Sequence, residues 1–547
     1  MHTRNDQTSS NLLQTPPALL ARPWVVLKFG GTSVASASRW QSIAALVTER
    51  ISAGWRPLVV VSALAGVTDG LLGIVRVGAE RVAAQALAKT IRDRHFALAA
   101  ELGMAVPDAT AAWLDRLDAL ILDPRAAVAA LSWQAELLAI GELASSSFGA
   151  GYFQHSGLSA AWLDARDWLC ATPTPNASDW AAWLSVNCAS PPSPASAAGL
   201  AAGAEVWIAP GFIARNATGA TVVLGRGGSD TSAALLGAML GAARVEIWTD
   251  VAGMFSADPR LVPEARLLAR LDFEEATEIA TTGAKVLHPR SLAPLRDAGV
   301  PLWIKDTRRP ELAGTVIDHP SPTEPGRASG TAASVKAISQ RRGIMLVAME
   351  SIGMWQQIGF LADVFAEFKR HGLSVDLISS AETNVTVSLD PTENLVTTNV
   401  LEALCSDLAK VCRVKVIGPC AAITLVGRGM RGLLPKLSGV WTEFGSLPVH
   451  LVSQSSNNLN LTFVVDEALA EGLVARVHES LIGSHALLAE DASVFGPSWR
   501  ELYQASTEQI APAWWRQRRA ALLALAAERT PRYVYDLASV RARGQAL

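Results

Sequence analysis

Several features are scarce in these 547 residues, and each scarcity excludes something. The five cysteines (Cys170, Cys188, Cys405, Cys412, Cys420) are odd in number and form no C-x-x-C pair. That argues against a disulfide framework or a zinc ribbon and fits a reducing cytoplasm. No His/Cys/Asp group shows zinc spacing along the chain, so no protein-held metal is expected. Long apolar runs are missing: Ala233 to Ala243 falls well short of the roughly 20 residues of a membrane span, so no membrane partner is expected. Basic excess is missing too, with 47 Lys and Arg against 50 Asp and Glu, so no nucleic-acid partner is expected. Residues 1–22 lack the apolar core of a secretion signal and read as a mobile extension.

What is present is apolar material, 50% of the residues, enough for about three domains of roughly 150 residues. A buried strand at Trp24–Phe29 meets Gly30-Gly31 and then a helical stretch. The pattern recurs at Leu58–Val61, Thr221–Leu224 and Val245–Trp248, with helices expected at 229–242 and 273–284. Alternation of this kind predicts an α/β layer of mainly parallel strands between helices, with polar strand ends gathered on one edge. Residues 171–204, rich in Ala, Pro and Ser, read as a surface excursion, and 320–333 as a linker.

Beyond the linker the texture changes. Ser374–Ser379 is matched by Pro448–Ser453, each after an amphipathic helix. The first helix has Leu361, Val364, Phe365 and Phe368 at helical spacing, the second Leu434, Leu437, Trp441 and Phe444. The repeat predicts two βαββαβ units, at 334–419 and 420–490. Residues 491–547 read as a tail, with a helix near 513–528 and a strand-like run at 532–537.

Chemistry-bearing turns close the strands. Lys28-Phe29-Gly30-Gly31-Thr32-Ser33 places a cation before exposed amides at a helix start, which suits phosphoryl oxygens. Gly225-Arg226-Gly227-Gly228-Ser229-Asp230 brings a guanidinium onto a backbone able to approach a ligand closely; a plain capped turn is the alternative. Thr249-Asp250 closes a further strand and reads equally as an Asx turn. Lys285 stands where one helix stops, and Glu142 is expected to open a helix of small residues; both are ordinary helix-dipole partners taken alone.

Taken together, KFGGTSV at 28–34, GEL at 141–143, LGRGGSD at 224–230, IWTDVAG at 247–253 and TGAKVLHP at 282–289 resemble aspartate kinases of the lysine-sensitive type, within the amino-acid kinase family. The resemblance runs from about Trp24 to about Ile482 and implies the amino-acid kinase fold over 23–319, followed by paired ACT domains. It implies that Lys28, Gly30 and Gly31 hold the transferring phosphoryl group, with Asp230 positioning Lys28. Ser62, Thr68, Glu142 and Arg226 would bind aspartate, Arg226 at the α-carboxylate and Glu142 at the α-ammonium. Thr249, Asp250, Arg260 and Lys285 would line the ATP site, with Mg2+ carried by the nucleotide. Phe255 departs from the family, which often has tyrosine there near the nucleotide.

By the same resemblance Met354, Gly359, Phe360, Leu361, Ser374, Val375 and Asp376 would form a pocket for an amino-acid effector, lysine first and threonine second. Phe360 and Leu361 read equally as core. A homodimer or homotetramer through the ACT domains is implied. The run Thr530–Leu537 is similar to the opening of diaminopimelate decarboxylase, whose barrel needs about 250 residues. No pyridoxal phosphate is therefore expected in this chain, which would be the kinase part of a kinase–decarboxylase fusion. A catalytically silent amino-acid sensor is the competing reading.

Overall fold

A computed structural model describes residues 22–175, 178–189, 200, 203–283, 286–319, 334–351, 358–391, 396–433, 438–445, 447–483 and 494–504. The mobile extension, the linker, Lys285, Met354, Leu434, Leu437 and the decarboxylase-like run all lie outside the described residues, apart from position 22.

The main sheet has eight strands: β1 (Trp24–Phe29), β2 (Arg56–Val61), β3 (Ala160–Trp162), β4 (Val206–Pro210), β5 (Arg244–Thr249), β6 (Arg270–Asp272), β7 (Leu302–Asp306) and β8 (Thr315–Asp318). Their order is β6-β8-β7-β5-β1-β2-β4-β3, and every pair is parallel except β7 with β8. Val25, Val26, Leu27, Val59 and Val60 are fully buried, as continuous β-branched and Leu runs must be when helices cover both faces. The chain leaves β1 toward β2 on one side and reaches β5 on the other, so the crevice beyond the carboxyl end of β1 is a topological switch point.

Two expectations are corrected. Thr221–Val223 forms an antiparallel hairpin with Ile213–Arg215 and does not join the main sheet. The apolar run signalled burial, which holds, but burial does not say which strand lies alongside. Glu142 does not open a helix. It lies within α1 (Leu131–His155), which begins well upstream because Leu, Trp, Ala and Glu supply no helix breaker. Every residue of α1 from Leu137 to Ala150 is buried, and its small residues admit close neighbours: a Cβ on Gly149 would lie 2.4 Å from Trp40.

The second sheet contains β9 (Ser334–Glu350), β10 (Ile378–Ser380), β11 (Asn384–Leu389), β12 (Arg413–Arg428), β13 (Val449–Gln454) and β14 (Asn460–Asp466), in the antiparallel order β10-β11-β9-β12-β14-β13. Two helices cover Val347, Met349, Val385 and Val387 on one half, and Val440, Phe444, Leu473 and Val477 cover Ile423, Leu425 and Phe463 on the other. The two long strands are shared between the halves. Ile344–Glu350 pairs with Arg413–Cys420 in the first unit, whereas Ser334–Arg342 pairs with Ala421–Arg428 in the second. The first unit is thus nested inside the second, whose fourth strand comes from chain preceding the first; a consecutive reading at 334–419 and 420–490 misses this. Of the repeated segment Ser374–Ser379 only Ile378 and Ser379 fall in a strand, β10, and Leu361 is 44% exposed, off the core face of its helix.

Beyond residue 490, Phe495–Ser498 returns to the first domain and pairs antiparallel with Arg266–Leu268. Phe255 packs edge-on against Trp499, with centroids 5.4 Å apart, and is buried. The ring thus helps to hold the returning segment on the first domain.

Candidate active site

Three strand ends build the crevice. β1 ends with Lys28 and Phe29 and enters a tight turn at Gly31–Val34 whose preceding residue, Gly30, is extended. A Cβ on Gly30 would lie 3.6 Å from Lys28 Nζ, so the ammonium folds back over the turn. Gly31 cannot be larger, since its Cβ would meet the Ala63 carbonyl at 2.7 Å. Ser62 follows β2 directly, half-buried, and donates its backbone N–H to the Phe29 carbonyl at 3.1 Å.

Lys28 Nζ pairs with Asp230 Oδ1 at 2.5 Å. Asp230 lies in the first turn of α2 (Gly228–Met239), whose cap residue Gly227 has φ +68° and no side chain to cover the leading amides. Ammonium and helix terminus therefore direct positive potential at one spot. The preceding loop is held on three sides: Cβ atoms on Gly225, Gly227 and Gly228 would lie 2.8, 2.4 and 2.6 Å from Ser185, His288 and Phe212. Arg226, between these braced glycines, is exposed.

Glu142 reaches the crevice from beneath. Burial raises its carboxyl pKa to about 8, partly offset by the N–H of Ala63. Its Oε2 has no hydrogen-bond partner among the described residues. A buried carboxylate left half-satisfied is costly unless a cation completes it. Ala63 thus touches both halves of the crevice, Gly31 through its carbonyl and Glu142 through its N–H. Thr68 lies half-buried in the first turn of the neighbouring helix, Val67–Val77.

On the β5 side, Thr249 donates its hydroxyl to Asp250 Oδ1 at 3.3 Å, and Asp250 is exposed. Arg260 is exposed and held by Asp258 at 2.5 Å, so a nucleotide would have to draw it from that partner. The structure therefore brings Lys28, Gly30, Gly31, Ser62, Glu142, Asp230 and Thr249 to the carboxyl edge of β1, β2 and β5; Arg226, Asp250 and Arg260 are exposed, and among the described residues no contact ties Arg260 to that edge.

Other residues belong to this construction and escaped the sequence reading. Ser33 hydrogen-bonds Thr307 at 3.0 Å, and the Thr307 hydroxyl reaches the Thr249 carbonyl at 2.8 Å, tying the β1 turn to the β5 end. Arg290 donates to the Leu224 carbonyl at 2.9 Å and to Ser185, bracing the glycine loop. Its position directly after His288-Pro289 was the available signal. Tyr503, from the returning segment, donates to buried Asp306 at 2.6 Å, behind the same edge.

In the second sheet, Gly359 has φ +90° and precedes α3 (Phe360–Arg370). Phe360 is 3% exposed and packs in the first unit's core, so it is not free to line a pocket; Leu361 faces outward. Ser374 is exposed, Val375 packs partly on the core, and Asp376 lies 3.7 Å from Arg341. The expected ammonium partner of Asp376 thus has a guanidinium rival within the chain.

Comparison with known proteins matches this architecture. The model of the amino acid kinase family covers residues 23–306. The lysine-sensitive aspartokinase 3 of Escherichia coli is 33% identical over 473 residues, 84% of this chain and 99% of that one. The chain belongs to the aspartokinases of the amino acid kinase family. Aspartokinase 1, chloroplastic, of Arabidopsis thaliana is 30% identical over 84% of this chain and 80% of its own length. Among solved structures, E. coli aspartokinase III in complex with aspartate and ADP (R-state) superposes with a TM-score of 0.69 at 31% identity, covering 83% of this chain and 99% of that one. Its complex with lysine and aspartate (T-state) gives 0.65 at 30% identity, covering 83% and 98%. Among the described residues no helix is long and apolar enough to cross a membrane.

Proposed function

We propose that the chain transfers the γ-phosphoryl group of ATP to the β-carboxylate of L-aspartate, giving 4-phospho-L-aspartate, in the cytoplasm. The observation that carries this reading is the pairing at one crevice of an ammonium over glycine amides, Lys28 with Gly30 and Gly31, and a buried, half-satisfied carboxylate, Glu142. The first suits a phosphoryl group and the second an α-ammonium. Arg226, on its braced loop, would take the α-carboxylate bidentately. The β-carboxylate is already a nucleophile and needs no general base, so turnover rests on positioning and charge stabilisation. Thr249, Asp250, Arg260 and Lys285 would receive the nucleotide, with magnesium entering as part of it.

The reading extends to feedback by lysine at the first regulatory unit, serving lysine synthesis through diaminopimelate, and to a homodimer or homotetramer formed through these units. Exposed Ile378 on edge strand β10 and Val452 on edge strand β13 support such contacts, because an open edge with apolar side chains is a ready pairing surface. Trapping the acyl phosphate with hydroxylamine tests the proposal. Aspartate- and ATP-dependent product that falls with lysine is expected. Absence of product together with retained lysine binding would replace it with the sensor reading.

A further inference from the structure

The bare face of the second regulatory unit, away from its helices, carries a group of side chains that the phosphoryl-transfer reading does not use. Cys420 on β12, His450 on β13 and Asp466 on β14 each bring one donor atom to a common point, all within 4.8 Å of one another. His450 Nε2 lies 2.8 Å from Asp466 Oδ1. Cys420 and Asp466 are direct cross-strand partners.

The backbone has a specific device for bringing His450 there. Along β13 the pairing shifts between Val449, opposite Val465, and Leu451, opposite Val464. In a regular strand residues 449 and 451 would share a face. Here Val449 packs on the helix side while Leu451 is buried on the bare side with Cys420, Ala422 and Val464. A bulge of this kind re-aims a side chain, and the one it re-aims is His450.

We propose that Cys420, His450 and Asp466 form a binding site for a divalent transition-metal ion of the zinc class. Thiolate, imidazole and carboxylate are the donor types such an ion selects, and three protein ligands leave a fourth position for water. Binding would displace the thiol proton to solvent and pin β12, β13 and β14 together beside Leu377, which packs on this face. The contrast with Glu367, His371 and Asp407 is instructive. That group is also compact, but Arg370 and Lys410 already pair with Asp407, at 2.5 Å for Arg370 and 2.7 Å for Lys410. Among the described residues the charged partner of Asp466 is His450 alone.

The test uses the full-length chain, stripped with a chelator and titrated with Co2+, then with Zn2+ in competition. A single Co2+ per chain with a sulfur-to-metal charge-transfer band, displaced by Zn2+, is expected. Cys420→Ser should remove the band and Cys412→Ser should leave it unchanged. His450 sits half-exposed on an edge strand, so His450→Gln leaves the fold intact, and its Co2+ affinity should fall at least about 10-fold. No charge-transfer band in the unaltered chain, or unchanged affinity in His450→Gln, would overturn the proposal.

Discussion

Lys28 Nζ sits 2.5 Å from Asp230 Oδ1, joining the end of the central strand to the first turn of α2, with both side chains at least 85% buried from solvent. This pair fixes the ammonium over the glycine turn before any substrate arrives. Lys28→Met should lower kcat at least about 100-fold while leaving the aspartate KM within about 3-fold, because the lost interaction is with charge that develops during transfer. Steady-state kinetics on a variant with unchanged thermal unfolding decides it; a KM effect with normal kcat would place Lys28 in ground-state binding instead.

The carboxyl of Glu142, raised to about 8 by burial, predicts a proton linked to aspartate binding. Below that pH the free site holds a proton that the incoming ammonium expels, so affinity should rise with pH and level off above about 8. Stability moves oppositely: the native state keeps a proton that the unfolded chain releases near its ordinary value of 4.5, so the ligand-free protein loses stability as pH rises from there toward 8. Calorimetry in buffers of different ionisation enthalpy should show proton release at pH 7, abolished by Glu142→Gln.

His478 joins the second regulatory unit to the kinase domain through Ser256, at 2.8 Å. Ser256 Oγ accepts from the Arg266 backbone N–H at 2.8 Å, which ties the imidazole to the β-strand edge at Arg266. Burial depresses the imidazole pKa to about 4, so the unfolded chain binds a proton near 6.5 that the native state refuses. Stability is fully present above 6.5 and lost as pH falls toward 4, by about 3 kcal/mol. Urea unfolding across that range should show the slope, and His478→Gln should flatten it.

Glu275, almost fully buried, is held by Lys336 of β9 at 2.7 Å. Lys336→Met leaves Arg428, at 3.4 Å, as the remaining cationic partner of the carboxylate and should cost at most about 3 kcal/mol, most of it recovered in the double variant Lys336→Met, Glu275→Gln. Thermal unfolding of the three proteins measures this. Equal losses in single and double variants would show that the pair does not act as a unit.

The α/β layer and the carboxyl-edge site were legible because buried Val/Leu strands and glycine turns obey local rules: Lys28, Gly30, Gly31 and Asp230 lie where those rules put them. Two local signals were passed over: the turn residues Asn216 and Gly219 just before Thr221 announce a hairpin, and the breaker-free run from Leu131 carries one helix through Glu142. Other relations were long-range. Tyr503 and Asp306 meet although both regulatory units lie between them in the sequence, and Phe255 finds Trp499 the same way. The repeat of two units could be seen, but nesting depends on which strand sits beside β12, and periodicity carries no such information.

That nesting gives β9 two tasks. Its first half grips the kinase domain through Lys336 and through Ser339, which donates to Thr282 at 2.8 Å, while its second half, from Leu346 to Glu350, lies in the first regulatory unit between β11 and β12. Plain alternation does not span these halves: Ile338 packs on the helix side whereas Ile344 and Leu346 pack on the bare side, because the pairing with β12 is irregular around Gly343. That irregularity resets the phase, so that Ile338 and Val347 both face helices, each in its own unit. The break at Gly343, and not an unbroken count of residues, is what lets one strand serve two cores.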